Sequence, residues 1–533
     1  KCDETVRAIV GDVAEPYRAL LKPLVKRLRT TKDGIDDLLN GRQYTENKWV
    51  NTQAELLAPL MQCYRSLLAC GMEQTAKGGL LDTIRRAHCF GIYLLKLDIR
   101  QDSERHADVI AEICQYLSLG DYKRWDENQK IAFLTKELAS KRPLLPNAWQ
   151  ADWQPQADVQ EVLDTCHTIA NNDRDAFGIY IISMASNASD VLAVQLLLQQ
   201  CQVTWPMSVS PLFETLDDLN HSPGVIQQLL SIDSYRNGLE DGQHIMIGYS
   251  DSAKDAGALA AGWAQYTAQE ALVGVCQQHQ TALTLFHGRG GTIGRGGLPA
   301  HSAILSQPPG SLDGGFRVTE QGETIRYKFG MPTLAKRSLG IYASAIIEAK
   351  LFPPPAPKQA WRNALDSMAA QGRDNYRHVV RVDPDFVPYF RQATPEQELG
   401  KLPLGSRPAK RNPHGGVESL RAIPWIFAWA QTRLVLPAWL GVMRAIMHSY
   451  KNEASTIDEM IAQWPFFQSR LSMLDMVFAK ADAEIAKAYD ERLVEADLRH
   501  FGESLRHELQ QSRADLLTIT HKNDVMQDDP QGL

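Results

Sequence analysis

Five short apolar runs recur along the middle of this chain at nearly constant spacing, and that rhythm restricts its fold more than any other feature. The runs are Phe177–Met184 (FGIYIISM), Met207–Phe213 (MSVSPLF), His244–Ser250 (HIMIGYS), Ala282–Phe286 (ALTLF) and the weaker Phe316–Thr319 (FRVT). Each is rich in β-branched or aromatic residues and gives way to a polar residue and then helix-like sequence, which is the pattern of a buried strand. The residues at or just after their ends, Met184, Glu214, Asp251, His287 and Glu320, lie 30, 37, 36 and 33 positions apart. A repeated strand–helix unit of that size predicts part of a (β/α) barrel, in which chemistry sits at the C-terminal ends of the strands. A doubly wound open sheet is the second reading.

Helical sequence surrounds these runs. Apolar residues fall at helical spacing in Ala54–Leu68, Val191–Leu198, Ile341–Leu351 and Leu471–Ala488, with Ser189-Asp190 placed to cap the second of these. Phe352–Lys358, with four prolines, and Lys401–Gly416, rich in Pro, Gly and basic residues, read as loops. The organisation expected is a mainly helical region over 1–176 with one barrel strand near 91–99, barrel units carrying the site over 177–345, and a helical region over 346–533.

Charge and cysteine content exclude several classes of function. With 63 acidic and 56 basic side chains the net charge is -7. No global field attracts nucleic acid or an anionic membrane, so a bound anion must be held by a local cluster. None of the eight cysteines forms a C-x-x-C pair, which argues against zinc or a disulfide framework and for the reducing cytoplasm. The most membrane-like stretch, Ala422–Met443, is broken by Pro424, Gln431, Thr432, Arg433 and Pro437 and is not expected to span a bilayer. No signal sequence opens the chain. Both ends read as unnatural, Lys1 entering helix-like sequence directly and Gly532-Leu533 following a polar stretch.

The sharpest candidate for chemistry is Phe286–Pro299, FHGRGGTIGRGGLP. Its glycines bring backbone N–H groups close to a ligand, while His287, Arg289 and Arg295 add donors suited to phosphate or carboxylate oxygens. It lacks the ending of a phosphate-binding Walker loop, and an exposed flexible loop is the plainer account. Glu214 and Asp251, ending adjacent strands, could hold Mg²⁺ or Mn²⁺, although Asp251 could equally cap a helix. Lys254 follows one helical step later. Arg100, after Gly91–Ile99, is a further anion ligand unless it forms an ordinary surface ion pair. Arg407, Lys410, Arg411 and Arg421 surround Gly415-Gly416 in a loop that could close over an anionic substrate. No role attaches to His301 or His414.

These stretches together resemble the phosphoenolpyruvate carboxylase family: FHGRGGTIGRGG, with MIGYSDSAKDAG before it and GSRPAKRNPHGGVESLRAIPWIFAWAQTR after it. KCDETVRA, LDIRQDSERH, FGIYIISMA, VSPLFETLDDL and LSMLDMVFAKAD extend the likeness, in the family's order, over nearly the whole chain. The resemblance implies a mainly α protein around an eight-stranded TIM-like (β/α) barrel, incomplete in this chain and embedded in many helices, and a cytoplasmic homotetramer when full length. It implies carboxylation of phosphoenolpyruvate by bicarbonate to oxaloacetate and phosphate, through carboxyphosphate and a metal-stabilised enolate, feeding the tricarboxylic acid cycle.

Residue by residue, Glu214 and Asp251 match the ligands of Mg²⁺ or Mn²⁺. Arg100, Arg289, Arg407 and Arg421 match the groups that grip the substrate, and His287, Arg289, Arg295 and Lys254 match catalytic positions. Lys480, with Arg295, matches the site of a feedback dicarboxylate, aspartate or malate. The family's T-A-H-P-T motif with its catalytic histidine is not found here, nor is the C-terminal inhibitor segment or the N-terminal phosphorylation site of the plant enzymes. The chain alone is therefore expected to be inactive and prone to aggregate through open strand edges. Two other readings remain: a different phosphate-using barrel enzyme without bicarbonate dependence, and a non-catalytic regulatory relative.

Overall fold

The computed structural model describes residues 2–43, 49–145, 153–288, 300–320, 322–402 and 420–528, the side chains of 322–324 and 423 apart. Most of them are helical. Six strands stand among them: β1 (Leu97–Asp102), β2 (Phe177–Ser183), β3 (Val209–Phe213), β4 (Gln243–Ile247), β5 (Leu283–His287) and β6 (Arg317–Val318). They form one sheet in sequential order, every neighbouring pair parallel. A doubly wound sheet must reverse its strand order at a switch point. This one does not, so the second reading of the sequence is excluded.

Side chains alternate between two apolar environments with the period of a strand. Ile179, Ile181, Leu212, Met246 and Phe286 cluster on one face. The intervening Tyr180, Ile182, Phe213, Ile245, Ile247 and Leu285 join the large core shared with the helices. The sheet curls around the first cluster. Were it flat, five steps of about 4.8 Å would place β1 and β6 roughly 24 Å apart. Instead Asp98 of β1 and Arg317 of β6 form an ion pair at 2.5 Å, and the Arg317 guanidinium stands 4.6 Å from the Phe286 ring centroid.

Polar residues just after the strands start the next helices. Asp102 caps Ser103–Tyr116, and Thr215 with Asp218 makes a capping box for Leu216–Leu230. The cap expected at Ser189-Asp190 lies instead at Asn187, with Asp190 returning the reciprocal bond, so the helix is Ala188–Gln200.

Two further expectations change. The strand placed near 91–99 is Leu97–Asp102, because Gly91 (φ 55°) ends the preceding helix and the apolar Leu94 and Leu95 lie exposed in a turn. Leu471–Ala488 is two helices, Pro465–Lys480 and Ala483–Leu493. Asp482 accepts the N–H groups of Glu484 and Ile485 and starts the second. Among the described residues no single helix is long and apolar enough to cross a membrane. Pro424–Gln431 and Leu436–Gln463 pass such a test only jointly, bent by 113°, and Trp425, Trp429 and Trp439 between them are buried in the core.

Candidate active site

Strand alternation decides which side chains reach the enclosed face at the C-terminal edge of the sheet. Arg100 is in register with Ile181, and Glu214 follows Leu212 by two positions, so both fall on that face. Although β2 lies between their strands, Arg100 Nη2 stands 3.4 Å from Glu214 Oε1. Glu214 is buried, and its other oxygen accepts the Met184 N–H at 3.0 Å. Met184 has a left-handed φ of 55°, a conformation that costs a non-glycine residue roughly 1–3 kcal/mol and concentrates at functional sites. Ser103 Oγ holds its carbonyl at 2.9 Å. Arg100 thus lies within its strand rather than after it, and its partner is a buried carboxylate rather than a surface one.

The end of β4 presses against Glu214. A Cβ on Gly248 would stand 2.7 Å from the Phe213 carbonyl oxygen and 2.8 Å from Glu214 Cα, so only glycine permits this approach. The helix Ser250–Ala256 follows directly. Tyr249 occupies its capping position with no side-chain cap bond, and Asp251 sits in its first turn. Capping therefore does not account for Asp251. The helix macrodipole favours a carboxylate there. Lys254, in the last turn, donates to the Leu420 carbonyl beside Arg421, which itself precedes Ala422–Gln431. Asp255 pairs with Arg377 (3.0 Å) and Arg381, and the Tyr376 hydroxyl donates to the Lys254 carbonyl at 3.0 Å. The short helix carrying Asp251 and Lys254 is thereby bolted to the C-terminal helices.

His287 is placed differently. By alternation it shares the helix-facing side with Leu285, and it is fully buried. Its Nδ1 shares a 2.7 Å hydrogen bond with the Tyr249 hydroxyl, while its Nε2 is buried without a partner among the described residues. Burial pushes its pKa down to about 4, so it is neutral at physiological pH. Phe316 packs on it at 5.2 Å between ring centroids. Glu320, just beyond β6, pairs with Lys328. His301 pairs with Glu348 at 2.7 Å. Lys480 closes the helix Pro465–Lys480 with its ammonium 3.7 Å from Met476 Sδ.

The structure thus brings Arg100 and Glu214 together, sets Asp251 and Lys254 on the helix after the adjoining strand, and ties Lys254 to the residue before Arg421. Arg289, Arg295, Arg407, Lys410, Arg411 and His414 lie outside the described residues. Sequence reasoning missed Met184, Gly248 and Tyr249 as parts of the site, although Gly248 and Tyr249 stand beside a carboxylate it had singled out.

Among the described residues no group of three or more His, Cys, Asp or Glu could hold a metal ion. Glu214, just past β3, and Asp251, in the first turn of the helix after β4, are two hard oxygen donors. That set suits Mg²⁺ or Mn²⁺, which keep several water or substrate oxygens, and does not suit a closed all-protein zinc site.

A sequentially wound, curled parallel sheet, with an arginine and a buried carboxylate converging at its C-terminal edge, is compatible with part of a barrel. Comparison with known proteins narrows that reading. The phosphoenolpyruvate carboxylase family model matches residues 4–532, and the chain belongs to that family. It is 58% identical to the phosphoenolpyruvate carboxylase of Vibrio vulnificus over 100% of this chain and 60% of the relative. Those of Tolumonas auensis and Aeromonas salmonicida are 56% and 55% identical, each over 99% of this chain and 60% of the relative. The chain thus spans about 60% of the length of the curated relatives it matches. The family match runs along 4–532, and nothing in it bears out the expected inactivity of the chain.

Proposed function

We propose that this chain carries out the carboxylation of phosphoenolpyruvate by bicarbonate, giving oxaloacetate and phosphate. The observation that carries the reading is the meeting of Arg100 with the buried Glu214, with Asp251 on the helix beginning just after the next strand. Glu214 and Asp251 would hold Mg²⁺ or Mn²⁺, whose charge would stabilise the enolate oxygen that develops in the reaction. Arg100 and Arg421, with Arg289 and Arg407 of the glycine- and proline-rich segments, would neutralise the phosphate and carboxylate of the substrate.

Bicarbonate attacks the phosphoryl group, which leaves the enolate of pyruvate and carboxyphosphate. Lys254, Arg289 and Arg295 would hold the anions through that step, and the family resemblance would give His287 a part in handling bicarbonate, although its ring here faces the helices rather than the enclosed face. Carboxyphosphate then gives up a proton and splits to CO₂ and phosphate, and the enolate carbon attacks CO₂. The apolar cluster of Ile181, Leu212, Met246 and Phe286 supports a dry site, which is needed because water would protonate the enolate to pyruvate. The same reading makes the chain a cytoplasmic, anaplerotic enzyme of a homotetramer, supplying the tricarboxylic acid cycle and restrained by aspartate or malate at Lys480 and Arg295.

The test is oxaloacetate formation from phosphoenolpyruvate, alongside Mn²⁺ binding followed by electron paramagnetic resonance. Turnover is expected to require both bicarbonate and a divalent metal, and E214Q is expected to lose Mn²⁺ binding and about 100-fold or more in rate. Turnover indifferent to bicarbonate would favour another phosphate-using barrel enzyme. Neither turnover nor Mn²⁺ binding would sink the proposal.

A further inference from the structure

Arg470 is an anomaly at the edge of the core. It lies in the helix Pro465–Lys480, and its neighbours four residues away on either side, Phe466 and Leu474, are buried. Its Nε is buried without a hydrogen-bond partner, and no carboxylate pairs with it among the described residues. Its guanidinium stands 5.1 Å from the Phe466 ring centroid, and a Cβ on Gly262 would come within 3.0 Å of its Nη1. Burial holds its pKa below the ordinary arginine value. Arg470 as a whole is only half-buried, but a cation whose Nε is cut off from water without a partner is costly, and such a group calls for an explanation.

The surroundings supply one. Arg470 lines a pocket of about 110 Å³ between the helix Ser250–Ala256 and the C-terminal helices. Its polar groups are gathered from Ser250, Lys254 and Arg470, whereas Leu259, Ile426, Val435 and Leu474 are among the aliphatic walls. Val435 has a left-handed φ of 50°. For a β-branched residue this is an outlier of the kind found at ligand clamps.

We propose that this pocket binds a small monocarboxylate with an apolar body, its carboxylate on Arg470 and Lys254 and its carbons against the aliphatic walls. A dicarboxylate or a phosphorylated acid fits less well, because a second charged group would be stranded against apolar side chains. At about 110 Å³ the pocket is smaller than the apolar cavity of about 150 Å³ that holds benzene, so the body is limited to about four carbons. The inference does not depend on the carboxylation reading, since it concerns binding alone.

The probe is 3-methylbutanoate, titrated calorimetrically into the chain beside its neutral twin, 3-methylbutanamide. The acid is expected to bind at least about tenfold more tightly than the amide, as a charge-assisted pair requires. R470M should remove that preference, and R470K should restore part of it. Equal binding of acid and amide, no acid binding up to about 20 mM (an affinity near 2 kcal/mol), or an unchanged preference in R470M would overturn the assignment. Should R470M fail to fold, the comparison of acid with amide in the unaltered chain still decides.

Discussion

A histidine sealed behind a sheet loses the property for which histidine is most often used, its titration near neutrality. His287 is fully buried, its ring held by the Tyr249 hydroxyl at 2.7 Å and its pKa pushed down to about 4. A folded-state pKa below the unfolded value of 6.5 means that the unfolded chain takes up the proton first. Stability from this group is therefore constant above pH 6.5 and falls as pH drops toward 4. The loss over that window is on the order of 3 kcal/mol. His106, bonded to the Tyr180 hydroxyl at 2.8 Å and pushed down to about 3, acts in the same direction, so a comparison is needed to isolate His287. Replacing His287 with Gln keeps a neutral polar side chain. In urea unfolding at stepped pH, the stability gap between wild type and H287Q is expected to shrink by about that amount between pH 6.5 and 4. A constant gap would mean that His287 protonates freely in the folded chain.

Strand ends are where the sequence and the geometry agree best, because a buried parallel strand leaves a continuous apolar mark and the capping residue after it leaves a polar one. All five apolar runs end within about three residues of the ends of β2, β3, β4, β5 and β6, and the candidates Glu214, Asp251 and His287 follow from that. The first strand was harder to place, since Gly91–Leu95 is apolar yet forms a turn with Leu94 and Leu95 exposed. Arg470 left a faint signal: it takes a core position in the row of Phe466 and Leu474, where an apolar residue belongs. The pairing of Arg100 with Glu214 left none, because curling of the sheet, not sequence distance, joins β1 to β3. Convergence of β3 and β4 depends on Gly248. In G248A the added carbon, 2.7 Å from the Phe213 carbonyl, must push the two strand ends apart. The variant is expected to lose about 1–3 kcal/mol of stability, and Mn²⁺ binding should weaken with the displacement of Glu214. Thermal unfolding and Mn²⁺ titration of the same sample measure both. Unaltered Mn²⁺ affinity in a destabilised variant would detach Glu214 from the metal reading.

At the scale of the whole molecule, aromatic side chains join the helices around the sheet to the C-terminal helices. Trp464 is almost wholly buried. Its ring lies 5.8 Å from Trp263 and 5.8 Å from Tyr266, both on the helix Ala258–Gln278 that precedes β5. It also stacks on Trp361 at 5.7 Å, at the start of Gln359–Arg377, and meets Phe466 at 5.3 Å. Arg362 pairs with Glu270 at 2.6 Å across the same junction, and the Trp263 indole donates to Asp366 at 2.6 Å. One apolar core accordingly runs from Val109 to Val525, and the site helix Ser250–Ala256 is anchored to it through Tyr376 and Arg377. Truncation at Trp464 removes contacts to both sides at once, which for a buried tryptophan costs about 3–5 kcal/mol. If the junction makes the molecule one cooperative unit, W464A should lower a single calorimetric transition as a whole. A transition that splits, one part remaining at the wild-type temperature, would show that the sheet with its helices and the C-terminal helices melt independently. In that case the aromatic junction would serve only to position the site helix, and W464A would still be expected to weaken Mn²⁺ binding at temperatures below the first transition.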